Sequence, residues 1–157
     1  MSKKMLMGLG AALVLALQPA SAQTRAAEAA PHYDAGLAKS LGADERGMRA
    51  FVLVILKTGP KTIEDKAERA KIFQGHFANM EKLAGEKKLA FAGPLDGVQG
   101  RRGIFVIASG DIEEAKRYVA TDPVIVSGLM EAEYHKLYGS AALMMVNEVH
   151  GKIEKKQ

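Results

Sequence analysis

An unbroken apolar stretch at residues 50–57 constrains the fold of this chain more than any other feature. It reads Ala-Phe-Val-Leu-Val-Ile-Leu-Lys, so apolar residues fill all positions but the last. A strand with one face in water alternates apolar and polar residues, whereas a strand without alternation is covered on both faces. Thr58-Gly59-Pro60 then ends the run. The sequence therefore predicts a sheet whose first strand is buried from both sides.

Five further segments follow this strand, and the pattern of apolar residues predicts two of them as helices and three as strands. In the first of them, Phe73, Phe77 and Met80 recur at helical spacing, with Arg69 flanking the stripe. The last alternates apolar and polar residues, which is typical of a strand. The predicted segments are a helix over residues 63–87, strands over 89–92 and 103–108, a helix over 112–120 and a strand over 129–137.

The order β-α-β-β-α-β predicts an α+β fold of the ferredoxin-like type, with a four-stranded antiparallel sheet. Right-handed crossovers would place both helices on one face of that sheet. The opposite face would then be bare, although the first strand is apolar on both sides. A second copy of the chain is the expected cover. The predicted assembly is a homodimer of the dimeric α+β barrel type.

Local signals predict how three helices begin or end. Asp111 and Glu114 have the spacing of a capping box for the second helix, which Asp122-Pro123 ends. Asp34 is expected to cap a short helix through Leu41. Beyond Tyr138, apolar residues at helical spacing predict an extra C-terminal helix with Gly151 as its stop. Those apolar residues are Ala142, Met145, Val146 and Val149.

The first 22 residues have the pattern of an export signal. Lys3 and Lys4 precede an apolar run over residues 5–17, and Ala20-Ser21-Ala22 follows as a small-x-small cleavage site. We expect cleavage after Ala22 and a periplasmic or secreted protein, with an uncleaved N-terminal anchor as the alternative. Residues 23–49 are then a lead-in segment that contains the short helix.

Composition excludes several classes of function. The 157 residues include no cysteine, which rules out disulfides, Cys-ligated metals and thiol catalysis. The formal net charge is +4, without a basic stripe, so no nucleic-acid partner is expected. No phosphate-binding, dinucleotide or metalloprotease motif is found, and we predict no cofactor and no metal. Once the signal is removed, no association with a membrane is expected. Arg101 and Arg102, in the loop predicted over residues 95–102, are interpreted as solvated.

Two residues are candidates for acid/base chemistry. His76 falls on the apolar arc of the long helix. Partial burial there would disfavour the charged form of the imidazole, whereas a nearby carboxylate would favour it. Asp122 follows the second helix, which runs antiparallel to the first, so contact between the two side chains is permitted. Asp122 would then fix the imidazole tautomer. The alternatives are a core histidine bonded to a backbone carbonyl and an aspartate that only ends a helix.

Glu131, Glu133 and His135 share one face of the last predicted strand. Carboxylate and imidazole groups are metal ligands, but neighbours on one strand face are ~6.6 Å apart. Three ligands spread along a single strand cannot converge on one ion. We therefore interpret these residues as a solvated or cavity-lining face.

The order and spacing of several short motifs resemble the YCII-related family. The C-terminal pieces at 131–135 and 138–143, with the lead-in at 33–49, resemble a secreted subgroup that keeps a C-terminal extension. The motifs within the domain are FVLVILKTGP at 51–60, GHFANM at 75–80, LAFAGP at 89–94, RGIF at 102–105, EEAK at 113–116 and TDP at 121–123.

The resemblance implies a YCII-related ferredoxin-like domain over residues 50–138 and a helical extension over 139–157. It also implies that His76 and Asp122 are the catalytic pair, since they match the family's helix histidine and its aspartate before proline. The function expected from it is small-molecule acid/base catalysis of isomerase or lyase type, with an unknown substrate. The alternative is a non-catalytic dimer that binds a small ligand or has a structural role.

Overall fold

Four strands form one antiparallel sheet in the computed structural model, which describes residues 32–155. The order across the sheet is β2-β3-β1-β4, and the chain runs β-α-β-β-α-β, so the predicted ferredoxin-like α+β fold is confirmed. The predicted export signal lies outside the described residues. The strands are Met48–Thr58 (β1), Leu89–Pro94 (β2), Arg101–Ile107 (β3) and Met130–Ser140 (β4). The helices are Ala35–Ser40 (α1), Lys66–Gly85 (α2), Ile112–Val119 (α3), Pro123–Val126 (α4) and Val146–Ile153 (α5), with 3₁₀ turns at Val98–Gly100 and Ala141–Met145.

The first strand is central in the sheet, and core clusters cover both of its faces, which explains its lack of alternation. β1 pairs with β3 on one side and with β4 on the other, so that Val54 lies opposite both Phe105 and Tyr134. The residues facing α2 and α3 form the main core. As predicted, the apolar side of β4 packs against this core through Met130, Ala132 and Tyr134. The buried residues of the main core are Val52, Val54, Leu56, Leu83, Leu89, Phe105, Ile107, Ala115 and Val119.

The long helix is shorter than predicted at both ends. It begins at Lys66 rather than residue 63, because the Asp65 side chain caps it by accepting a 2.7 Å hydrogen bond from the backbone N–H of Glu68. The preceding residues are held in an extended loop, where the Gly59 N–H donates to the carbonyl of Leu129 at 2.8 Å. The helix ends at Gly85, and Lys87 turns the chain with a φ of 57°.

The predicted capping box at α3 is wrong, although Asp111 does cap the helix. The Asp111 carboxylate accepts from the backbone N–H of Glu113 at 2.9 Å, but the N–H of Asp111 donates to the hydroxyl of Ser109. Glu114 instead accepts hydrogen bonds from the side chains of Ser109 and Tyr118. These two bonds hold the pKa of the Glu114 carboxyl below its ordinary value.

The bare second face of the sheet is also a wrong prediction, since the chain covers part of it. Phe51, Ala90 and Val106 are buried there, and Leu143 and Met144 from the C-terminal segment pack against them. The apolar residues that follow β4 therefore complete a second core.

The C-terminal segment is helical as predicted, but its boundaries differ. Residues Ala141–Met145 form a 3₁₀ turn, and α5 continues past Gly151 to Ile153. Gly151 is therefore not a stop. An ion pair of 2.6 Å between Lys152 and Glu148 lies across this turn of the helix. Of the helices in residues 32–155, none is both long and apolar enough to cross a membrane.

Candidate functional site

The structure brings His76 and Asp122 into direct contact. Nδ1 of His76 lies 2.8 Å from Oδ2 and 2.9 Å from Oδ1 of Asp122. The Asp122 carboxylate is 0% exposed and His76 is 8% exposed, so the contact is shielded from water. Beside an ionised carboxylate, which only accepts hydrogen bonds, Nδ1 is the ring nitrogen that donates.

Local structure explains how the two side chains meet. His76 lies on the face of α2 that points toward the sheet, as its helical position predicts. Asp122 is the N-cap of α4, a one-turn helix that was not predicted, and its Oδ1 accepts from the backbone N–H of Val124 at 3.1 Å. Gly75 lets the two helices approach closely, because a Cβ on it would lie 2.9 Å from Cγ of Pro123.

Aromatic side chains enclose the imidazole. The ring of Phe105 is stacked on that of His76 with a centroid distance of 5.9 Å and an interplanar angle of 23°. Phe77 and Phe73 lie at centroid distances of 5.4 and 6.2 Å. In the described part of the chain, Nε2 of His76 has no hydrogen-bond partner. The arrangement presents one unpaired nitrogen of a fixed tautomer within an apolar setting.

A cavity of about 430 Å³ lies between α2 and the sheet, and His76 lines it. Its walls are mostly apolar, and His76 and Arg102 supply the only polar side chains among the described residues that line it. The apolar side chains of its wall include Phe73, Phe77, Met80, Phe105 and Met130. A cavity of this size can hold a small organic molecule.

Arg102 is a candidate that the sequence analysis missed. It was interpreted as solvated together with Arg101, but it lines this cavity, whereas Arg101 does not. Near Arg102, the hydroxyl of Thr58 donates a hydrogen bond of 3.4 Å to the carbonyl of Gly100. The loop predicted over residues 95–102 is shorter than expected, because β3 already begins at Arg101.

The charged face of β4 lies apart from the pair. Nε2 of His135 is 2.6 Å from Oε1 of Glu133, and Lys57 forms ion pairs of 3.3 Å with Glu131 and 3.5 Å with Glu133. His135 holds the pKa of Glu133 below its ordinary value. Within residues 32–155, no three or more metal-ligating side chains converge on one point.

The fold and the site define a class of protein: a ferredoxin-like α+β domain with a buried histidine–aspartate pair beside an apolar cavity. The family model of the YCII-related domain matches residues 50–135, more than half of the chain. The chain therefore belongs to the YCII-related family.

Two known proteins show the breadth of this similarity. Uncharacterized protein YjpA of Bacillus subtilis (strain 168) is 35% identical over 57 residues, which are 36% of this chain and 65% of that protein. The chain thus spans just under two thirds of the length of this curated relative. A solved structure, 5-chloro-2-hydroxyhydroquinone dehydrochlorinase (TftG) from Burkholderia phenoliruptrix AC1100 in complex with 2,5-dihydroxybenzoquinone, is 19% identical. It matches with a TM-score of 0.40 and covers 55% of this chain and 91% of that one.

The close approach at Gly75 predicts that an added methyl group will disturb the site. Gly75→Ala must displace the ring of Pro123, and we expect a loss of about 1–3 kcal/mol in the free energy of unfolding. The control is Gly85→Ala in the same helix, where a Cβ meets nothing within 4 Å and helix propensity favours alanine by up to about 1 kcal/mol. Denaturant unfolding measures both variants. Equal stability of the two variants would contradict the close approach.

Proposed function

We propose that the protein is a small-molecule acid/base enzyme of isomerase or lyase type, in which His76 exchanges a proton with the substrate and Asp122 positions it. The observation that carries the proposal is the pairing of a fully buried carboxylate with an imidazole that lines an apolar cavity. The carboxylate orients the ring, and the cavity of about 430 Å³ gives a small molecule access to it.

The pair supports one type of chemistry. With its proton on Nδ1, neutral His76 offers the Nε2 lone pair as a general base to a C–H bond next to a carbonyl group. The imidazolium that forms is stabilised by the carboxylate of Asp122. Return of the proton to another carbon gives isomerisation. Departure of a leaving group from the carbanion gives elimination.

Deuterium incorporation tests this proposal across a set of compounds, so the natural substrate need not be among them. We expect the protein to catalyse exchange of C–H hydrogens in some members of a panel of cyclic ketones, enones and lactones in D₂O. His76→Gln keeps an N–H donor for Asp122 but removes the base, and it should slow exchange by at least about 100-fold. Asp122→Asn should also lower the rate. Mass spectrometry of the compounds measures the exchange.

The control for this experiment is His135→Gln, which changes an exposed histidine paired with Glu133 outside the cavity and should leave exchange unchanged. Thermal unfolding of each variant confirms that it is folded. If the wild-type protein exchanges nothing, or if His76→Gln is equally active, the proposal fails. The alternative of a non-catalytic ligand-binding or structural dimer would then hold.

We also propose that the protein is a homodimer formed through the sheet. Alternate residues of a strand share a face, so Ile55 points to the same side as Phe51 and Leu53. The C-terminal segment buries Phe51, but Leu53 and Ile55 are only half-buried. A second sheet packed face to face would cover them.

Charge introduced on this face should separate the two copies. We expect the wild-type protein to sediment at twice the mass of one chain, and Ile55→Glu to sediment as a monomer, because the new carboxylate would lie directly opposite Glu133 within the interface. Val126→Glu is the matched control, since Val126 is 72% exposed on α4, which packs against α2 on the other side of the sheet. A wild-type monomer in analytical ultracentrifugation would contradict the dimer.

The export signal at residues 1–22 remains a proposal, since those residues lie outside the described part. We expect the protein recovered from the periplasm or medium of its host to begin at Gln23. Intact-mass measurement identifies that terminus. A chain that retains residues 1–22 at the membrane would support the uncleaved anchor instead, and a full-length cytoplasmic protein would contradict export altogether.

A further inference from the structure

We propose that the cavity beside His76 continues into a cationic compartment that binds the acidic group of the ligand. Lys61, Arg69 and Arg102 line this compartment. The ligand would be a small molecule with an apolar or aromatic body and one carboxylate or similar anion. This inference rests on the same cavity as the proposed function and names the class of molecule that enters it.

The compartment adjoins the main cavity. It has a volume of about 140 Å³, and it shares Phe73, Arg102 and Met130 with the cavity that His76 lines. Because Arg102 lines both spaces, a small molecule in the cavity beside His76 can place an acidic group against Arg102 at the edge of the compartment.

The three cations have no acidic partner in the described part of the chain. Neither Lys61, Arg69 nor Arg102 takes part in an ion pair there, and no carboxylate lines the compartment. Elsewhere on the surface, Lys57 and Lys88 are each paired with glutamate. Three exposed cationic side chains that line one space without a described counterion favour an anion there. Thr58 and Thr62 also line the space, so hydroxyl groups accompany the charges.

Specific contacts position each of these cations. The guanidinium of Arg69 lies 5.8 Å from the ring centroid of Phe73, over its face. The stem of Lys61 packs on Gly128, close to where a Cβ would lie. Arg102 is at a β-bulge: Leu56 pairs with Gly103 and the next residue of β1 pairs with Arg101. A bulge leaves one residue unpaired and turns its side chain, which is a common device beside functional sites.

The rest of the cavity limits the ligand's body. The rings of Phe73, Phe77 and Phe105 lie around His76, and the other described residues that line the cavity are apolar apart from Arg102. A fully polar ligand would lose its hydration there without compensation. A cationic ligand would meet Arg102 and Arg69. An apolar body with an acidic group at the end away from the imidazole satisfies both regions.

Matched probes that differ in charge test the inference. Calorimetry with 2-naphthoate and its neutral analogue 2-naphthamide compares two ligands of nearly equal shape. We expect the wild-type protein to bind the acid at least about tenfold more tightly, and Arg102→Gln to abolish that preference. Arg101→Gln is the control, since it removes the same charge from the neighbouring residue, which does not line the cavity, and it should keep the preference.

Three results would overturn the inference. The first is equal affinity of the wild-type protein for the two probes, and the second is no measurable binding of 2-naphthoate. The third is an unchanged preference for the acid in both Arg102→Gln and Arg69→Gln, each shown to be folded. Tighter binding of 2-naphthyl phosphate than of the carboxylate would support the compartment and assign the anion to a phosphate ester. His76→Gln should keep the preference for the acid, so the binding result stands or fails independently of the proposed catalysis.

Discussion

Burial of the Asp122 carboxylate is the constraint on which the helical face of this fold depends. A charged group with 0% exposure is tolerated in a protein only when hydrogen bonds replace the water it has lost. Here the imidazole of His76 faces both carboxylate oxygens, and the backbone N–H of Val124 donates to one of them. One side chain thus fixes the start of α4 and ties it to α2. The same contact orients the imidazole toward the cavity, so stability and site geometry have a common origin.

The order of strands and helices could be predicted from the sequence because buried positions are apolar, and their spacing differs between helices and strands. The apolar run around Val54 requires cover on both faces, and the fold supplies it, with Val52 and Val54 in the main core and Phe51 in the second core. Helix boundaries were less accessible. The start of α2 depends on the Asp65 cap and on a loop held by the carbonyl of Leu129, which is distant in sequence. Such bonds form only once the sheet exists, so no local pattern reports them.

An apolar pattern in the sequence indicates that a face of a strand is buried, but it does not indicate which residues cover that face. Phe51 was correctly expected to be covered, and the expected cover was a second chain alone. Leu143 and Met144 of the same chain supply part of it. Helical spacing beyond Tyr138 predicted an added helix, but the tight 3₁₀ turn at Ala141–Met145, which brings these side chains back to the sheet, has no distinct sequence signal.

The residues of the site also differ in how far the sequence identifies them. Helical spacing identifies His76, whereas the register of the paired strands determines the position of Arg102. His76 could be found because the helical period places it on the apolar face, and Asp122 because antiparallel helices bring the end of one beside the other. Arg102 could not be distinguished from Arg101, since adjacent residues of a strand exchange faces with a register shift of one. The β-bulge opposite Leu56 and Lys57 determines which arginine reaches the cavity. A bulge is a property of paired strands, and so the presence of Arg102 in the wall of the cavity follows from tertiary structure alone.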